Sequence, residues 1–472
     1  MRYKLVLPAS LVCVAVLSML CLRIPFFWDT AYFSKQANYF FVHGFSSLIP
    51  PDDLDNGGFP LYGIFMALCW KLLGRTLVVS HLAISVFLAG IVYAYYFLAK
   101  RFLKPRILPF AMLFLFLEPC LLTQSMLMTN DTFLLFFFLA GLNALLAKNM
   151  IRYGLFLVCM SLCSIRGVAA TGALVLVHLF LEFKKGRTHI SSVLSYVPLV
   201  ICLLFWAVYH RIHSGWYLFS PLRSSTDERF LDLSGMAKQF ILTGWKLADS
   251  GRIFCWVFLG WGILFLIRSR QMTPVFKRLL ALLFIPLLVS LALMIPLSNP
   301  SSGRYFMPVY LVLFLAICFV FQQMKRKPAV IWFLVLAFGL ISGNFWIYPE
   351  RFSNGWDTSL KVLPFFQLKR DMILYVKENK LVPGQIGTRF PLIDSLTDSD
   401  LEAEPFQFAN ALNGPVKKFR YYLHSNVCNT NLLPQIEEIR LEWKLLKALK
   451  KGEVYMALYE NPDWVEERHQ TP

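Results

Sequence analysis

The chain has 472 residues, 57% of them hydrophobic, and a mean hydropathy of +0.56. Soluble proteins sit near about 45–50% apolar, so this composition excludes an ordinary soluble globular chain. The formal net charge of +18 would suggest nucleic acid in a soluble protein. Here the excess base falls in short loops between apolar blocks, as in the cytoplasmic loops of a membrane protein, and nucleic acid is excluded as a partner.

The apolar blocks are the length of membrane spans, since a helix of about 20 residues rises about 30 Å. Leu5–Leu22 is the first. It lacks a small-residue cleavage site and runs into Arg23-Ile24-Pro25, so it reads as an uncleaved span and not a signal peptide. The connection from Arg23 to about Gly58 is long. Its Thr30–His43 part, mixed polar and aromatic, suits a helix lying in the membrane interface. Pro60–Leu73 is a second interfacial helix or an extension of the next span, Leu77–Ala99. Leu108–Leu122 and Thr132–Ala147 follow. Tyr153–Leu181 is bounded by base on both sides and broken by Arg166-Gly167, so it reads as a tight hairpin of two short spans with Arg166 at the outer turn. Val193–Tyr209, Ile253–Ile267, Leu279–Leu297, Tyr305–Phe321 and Val330–Tyr348 complete about eleven spans.

Every second connection is basic: Arg2 and Lys4, then Lys100 to Arg106, Lys148 and Arg152, Lys184 to Arg187, Arg268 to Arg278, and Lys325 to Lys327. This alternation sets the N-terminus in the cytoplasm and the end of the last span outside. The cytoplasmic connections are too short for a nucleotide-binding domain, and no Gly-rich phosphate loop is present.

The predicted architecture is therefore a mainly α polytopic membrane domain over residues 1–348 and a small extracytoplasmic α/β domain over 349–472. In the tail, Gln367–Lys380 reads as an amphipathic helix, Gln385–Phe390, Phe419–His424 and Glu453–Tyr459 as strands, and Gln435–Leu449 as a helix with a charged face. Of ten cysteines only Cys428 falls in the tail, which rules out a disulfide within it.

Chemistry points to the outer connections. Asp29 stands among aromatic residues just beyond the first span, where partial desolvation suits a carboxylate to act as a general base. Asp131 opens the fourth span, and ionisable residues near membrane depth mark functional sites. Either residue equally suits a helix N-cap. Arg166 and Arg304 offer planar forks for phosphate, against the alternative of snorkelling to lipid headgroups. Asp52, Asp53 and Asp55 form an acidic run that can hold a divalent cation through oxygen, or simply a solvated turn. The histidines show no zinc spacing, and His210 and His213 lack sulfur or carboxylate company in sequence.

In order, Trp28-Asp29-Thr30-Ala31-Tyr32, Pro60-Leu61-Tyr62, Leu73-Gly74, Pro119 to Asp131, Arg166-Gly167 and Arg304-Tyr305-Phe306-Met307-Pro308 resemble the polyprenyl-phosphate-dependent glycosyltransferases of the C-type (GT-C) membrane superfamily. That group includes lipid A aminoarabinose transferases and protein mannosyltransferases. The resemblance covers about residues 1–348. It implies transfer of a sugar from a polyprenyl phosphate to a lipid, glycan or protein on the non-cytoplasmic face, with inversion. Asp29 would be the base, Asp131 a second catalytic carboxylate, and Arg166, Arg304 and Tyr305 the donor-phosphate site. No cofactor beyond a divalent cation is implied. In one departure, Gly58 and Phe59 stand before Pro60 where relatives often carry Lys. The alternatives are a transporter or flippase of a lipid-linked sugar, against which no repeat is evident, and a non-catalytic envelope assembly protein.

Overall fold

The computed structural model describes residues 2–183, 190–217, 230–298, 302–352, 354–412, 415–428 and 433–464. The loop bases Lys184, Lys185 and Arg187 lie outside these described residues.

The first helix, α1 (Val6–Cys21), follows the first apolar block. Outside it, α2 (Asp29–His43) and α3 (Leu61–Leu73) pack together, with Gly63 so close to Gln36 that a Cβ there would come within 2.9 Å of its side-chain oxygen. The long α4 (Leu77–Phe102) is capped by Thr76, whose hydroxyl accepts from the Val79 N–H. Next come α5 (Leu108–Leu117) and α6 (Pro119–Met126), bent by 56° at Glu118-Pro119, where proline cannot supply the donor that a continuous helix needs. The α7 helix (Asp131–Leu146) precedes a hairpin of α8 (Met150–Ser161) and α9 (Ile165–Phe183), with Arg166 in the first turn of α9.

After α10 (Ile190–Leu194) and α11 (Val197–Ser214), α12 (Leu233–Ala248) meets α13 (Arg252–Arg268) at 90°. Gly251 makes that bend with φ +79°, and a Cβ on it would collide with the Gly339 carbonyl. Then follow α14 (Pro274–Met294), α15 (Met307–Gln323) and α16 (Arg326–Gly343). Met307 through Gln322 are all buried, so α15 is the central pillar of the bundle. Among the described residues, six helical segments are long and apolar enough to cross a membrane, or eight when each bent pair counts as one span; α1, α3, α7 and α8 are shorter apolar helices.

The tail begins differently from its expected outline. The last apolar helix ends at Gly343, five residues short of the expected Tyr348, because Asn344 turns the chain: its side-chain oxygen accepts from the Leu360 N–H. The segment up to Leu360 then lies back over the bundle. Beyond it come α17 (Leu363–Glu378), β1 (Ile386–Thr388), α18 (Leu396–Ser399), β2 (Ala409–Asn410), β3 (Tyr421–Ser425), α19 (Leu433–Glu442), β4 (Lys444–Lys451) and β5 (Val454–Glu460). The sheet order is β2-β1-β3-β5-β4, parallel around β1 and antiparallel from β3 onward.

The expected helix over Gln435–Leu449 is corrected: it stops at Glu442, and the Lys/Leu/Ala run that follows is the edge strand β4. Local propensity favours helix there. The Gly452-Glu453 turn, with Gly452 at φ +61°, instead folds the run against the buried strand β5. Its lysines 444, 447, 450 and 451 blunt the exposed edge.

One tail core takes in Phe27 and Leu127 from the helical part. Phe27 meets Phe365 and Phe366 edge-on at 5.3 and 5.5 Å, and Trp28 meets Phe390 at 4.6 Å. Lys35 pairs with Asp394 at 2.5 Å, and Ser34 bonds the Asp398 carbonyl. The α2 helix is thus roofed by the tail rather than left bare.

Candidate active site

Three short stretches far apart in sequence, around Asp29, Asp131 and Asp357, converge on Arg304. It sits in a 3-10 turn, Gly303–Phe306, at the N-terminus of the central helix α15, and is only 3% exposed. A cation at a helix N-terminus opposes the helix dipole, and burial adds a desolvation cost. Carboxylates offset both. Arg304 Nη2 bonds Asp29, while its Nε lies 3.4 Å from Asp131 and 3.2 Å from Asp357.

Asp29 and Asp131 are the first residues of α2 and α7, where the dipole favours negative charge. Neither is an N-cap: the caps are Trp28 and Asn130, without side-chain capping bonds. Trp28 carries φ 59° and ψ −137°, a conformation that non-glycine residues rarely adopt and that concentrates at functional sites. Contacts with Phe27 and Phe390 hold it and aim Asp29 at Arg304. Tyr62, of the Pro60-Leu61-Tyr62 step, donates to the Met128 carbonyl at 2.5 Å and supports the turn that presents Asp131.

Arg166 reaches Asp131 at 2.9 Å, and its guanidinium lies over the Tyr305 ring, 4.3 Å from the centroid; Arg304 flanks the same ring at 5.4 Å. The exposures rank the groups. The Asp29 side chain is 42% exposed and Arg166 27%, against 6% for Asp131 and 7% for Asp357. Asp29 and Arg166 face outward and the others hold them.

From this cluster a cavity of about 620 Å³ runs between α7, α9, α14 and α15. Asp131, Arg166, Arg304 and Tyr305 form its polar end, and Leu134, Phe138, Ala170, Pro286 and Leu293 line its apolar length. Small residues on α9 (Ala169, Ala170, Ala173) leave the space.

Asp357 was not among the residues singled out from sequence. A signal was present: the tripeptide Trp-Asp-Thr occurs at 28–30 and again at 356–358, and both aspartates pair with Arg304. The Asp357 carbonyl accepts from Gln124 at 2.5 Å, which stitches the tail onto α6. Burial, with Asp29 and Asp131 nearby and Arg304 opposing, pushes its carboxyl above the usual range.

A second polar layer lies behind. Arg252 and Glu118, both 1% exposed, pair at 2.6 Å and join the two bent helix pairs at their bends. Arg252 also stacks on Tyr310 at 4.2 Å, and Asp249 accepts from Tyr348 at 2.6 Å. Lys361 donates to the Trp346 carbonyl, and burial lowers its ammonium to about 8.

The acidic run proposed for a cation does not converge. Asp52 and Asp53 face solvent. Asp55 is buried and turned to His210 at 2.9 Å and the Gly57 N–H at 2.8 Å, so it braces a loop. His210, without carboxylate company in sequence, finds it in space. Among the described residues no three His, Cys, Asp or Glu side chains group to hold a metal ion.

A buried ionic cluster thus lies at the head of an apolar cavity, in a bundle of membrane-length helices roofed by an α/β tail, and this fold has likenesses among solved structures. The structure matches the crystal structure of ArnT from Cupriavidus metallidurans in the apo state with a TM-score of 0.53 at 12% identity, over 95% of this chain and 97% of that one. It matches ArnT from Cupriavidus metallidurans bound to undecaprenyl phosphate with a TM-score of 0.52 at 13% identity, over the same shares of each chain. No protein-family model and no curated protein matches the sequence.

Proposed function

We propose that this chain is a membrane glycosyltransferase that moves a sugar from a polyprenyl-phosphate donor to a lipid, glycan or protein acceptor on the non-cytoplasmic face. The observation that carries the reading is the outward-facing Asp29 carboxylate, held by Arg304 beside a cavity polar at one end and apolar along its length. That cavity suits a phosphate with a long isoprenoid tail, and the fold likeness to ArnT bound to undecaprenyl phosphate supports the same donor class.

In this reading the membrane part is residues 1–348 with eleven spans, counting α1, α7, α8 and the bent pairs, and the N-terminus is cytoplasmic. The soluble part is 349–472, although Asp357 serves the site from beyond that boundary. Asp29 accepts the proton of the acceptor hydroxyl as its oxygen bonds to the anomeric carbon. The bond from that carbon to the donor phosphate breaks, and the phosphate leaves with the electron pair. A single displacement inverts the anomeric centre. Arg166, the more exposed cation, meets the growing phosphate charge, and Tyr305 holds its guanidinium in place. Arg304 and Asp131 orient the two outward groups. Phe59 packs on Trp206 before Pro60, so no lysine from that motif assists.

The test is mass spectrometry of envelope glycolipids and glycoproteins from cells carrying wild type, a deletion, or Asp29→Asn at wild-type level. A sugar lost from the same acceptor in both variants supports the reading and names the substrate. Glycans changed by the deletion alone would reject Asp29 as base and favour a flippase or an assembly role.

A further inference from the structure

A third buried arginine, outside the Arg304 cluster, has no acid paired to it among the described residues. Arg389 directly follows β1 and is 8% exposed. Its Nη2 donates to the Gln435 Oε1 at 2.5 Å, while Nε and Nη1 have no hydrogen-bond partner among the described residues. Among the described residues no carboxylate lies within ion-pair distance of it. The nearby acid, Glu350, is already spent: it bonds the Tyr455 hydroxyl, takes Arg440 at 3.1 Å and meets His424 Nε2 at 3.5 Å. Tyr422, His424 and Cys428, the groups that feel the Arg389 charge, carry no compensating negative charge, the thiol being pushed up to about 12 by burial. A buried guanidinium with unmet donors costs several kcal/mol, and such a group in a folded protein calls for an explanation.

The topology supplies one. From β1 the chain leaves to β2 on one side, and from β3 it leaves through α19 to β4 and β5 on the other. Arg389 thus stands at the carboxyl ends of adjacent parallel strands where the connections diverge, the place where α/β sheets bind ligands. Gln435, its one partner, is exposed in the first turn of α19 and free to swing aside. That motion presents paired donors on both edges of the guanidinium, the geometry that grips an oxyanion. Beside it α19 begins a ten-residue helix, whose N-terminal end favours negative charge.

We propose that Arg389 is the anchor of an oxyanion-binding site in the extracytoplasmic tail, taking a phosphate group. The group comes from free phosphate or a lipid headgroup; Glu350, seven residues beyond α16, keeps this part of the tail near the bundle's end. The site is separate from the Arg304 cluster and owes nothing to the transferase reading.

The experiment titrates full-length protein in neutral detergent with inorganic phosphate by calorimetry, at ionic strength held constant with chloride, and in parallel with phosphatidylglycerol vesicles against phosphatidylcholine. Wild type, Arg389→Met and Arg389→Lys are compared. Saturable phosphate binding that Met abolishes and Lys weakens roughly tenfold, since Lys keeps the charge but not the fork, supports free phosphate. Arg389-dependent binding to anionic vesicles alone supports a headgroup. Arg389→Met should melt no lower than wild type without anion, because removing an unpaired buried charge relieves a cost. Absence of Arg389-dependent binding in both arms, or a wild-type response that Met leaves intact, overturns the site. So does a Met variant that unfolds while Lys folds and binds nothing.

Discussion

Two buried arginines in this molecule meet opposite fates. Arg304 is surrounded by three aspartates from three distant parts of the chain, and Arg389 by none among the described residues. The first arrangement is closed: its charges are spent on one another, and the outer members, Asp29 and Arg166, are held in fixed positions. The second is open: one donor meets Gln435, and Nε and Nη1 have no acceptor among the described residues. Burial is common to both arginines; the acids around them are what differ.

The strongest test of that contrast is to remove each cation. Arg304→Leu removes the cation that three carboxylates share and should cost about 3–5 kcal/mol, the usual penalty for breaking a buried pair. It would show as a large fall in the thermal midpoint in detergent together with loss of sugar transfer. A midpoint equal to that of wild type would mean that the cluster is not held by Arg304. Arg389→Met should show no fall.

Next is Asp29→Asn. As the exposed member it should cost about 1 kcal/mol or less in stability while lowering transfer by about 10²–10⁴-fold, the share of one general base. A variant that transfers at the wild-type rate removes Asp29 from the chemistry. Behind the site, Glu118→Gln and Arg252→Met should each destabilise by about 3 kcal/mol, and the double variant by clearly less than their sum. Additive losses in a melting series would show that the two bent helix pairs are not joined through this contact.

The smallest expected effect concerns Glu350 in the tail. Burial alone would raise its carboxyl, but bonds from His424 and Tyr455 and the charge of Arg440 outweigh that and bring it from 4.5 to about 2. Its folded value lies below its unfolded one. Its stabilisation is therefore complete above pH 4.5 and is lost as pH falls toward 2. Acid melting of wild type should show this slope and Glu350→Gln should flatten it.

Much of the site was legible in the residues. Asp29, Asp131, Arg166, Arg304 and Tyr305 are the residues that the sequence marks as candidates, and the fold brings all five within one cluster. Asp357 was hidden because it lies past the last span, where composition turns soluble and a carboxylate is unremarkable. Arg252 was hidden because it sits just before an apolar block, where charge is expected, and Glu118 because nothing in sequence names the cation that pairs with it. The acidic run at 52–55 is not brought together, because neighbours in sequence on a turn point in different directions: Asp52 and Asp53 face solvent and Asp55 turns to His210.

The sequence by itself determined the membrane-length helices, the hairpin with Arg166 at its turn and the α/β character of the tail, because burial in lipid or in a core imposes periodicity and length on the chain. It could not determine which charges meet. Lys444–Lys451 became a strand because β5 offered it an edge, and Asp357 became a site residue because Asn344 turned the chain back over the bundle. Both outcomes depend on partners far away in sequence, and only tertiary structure supplies those.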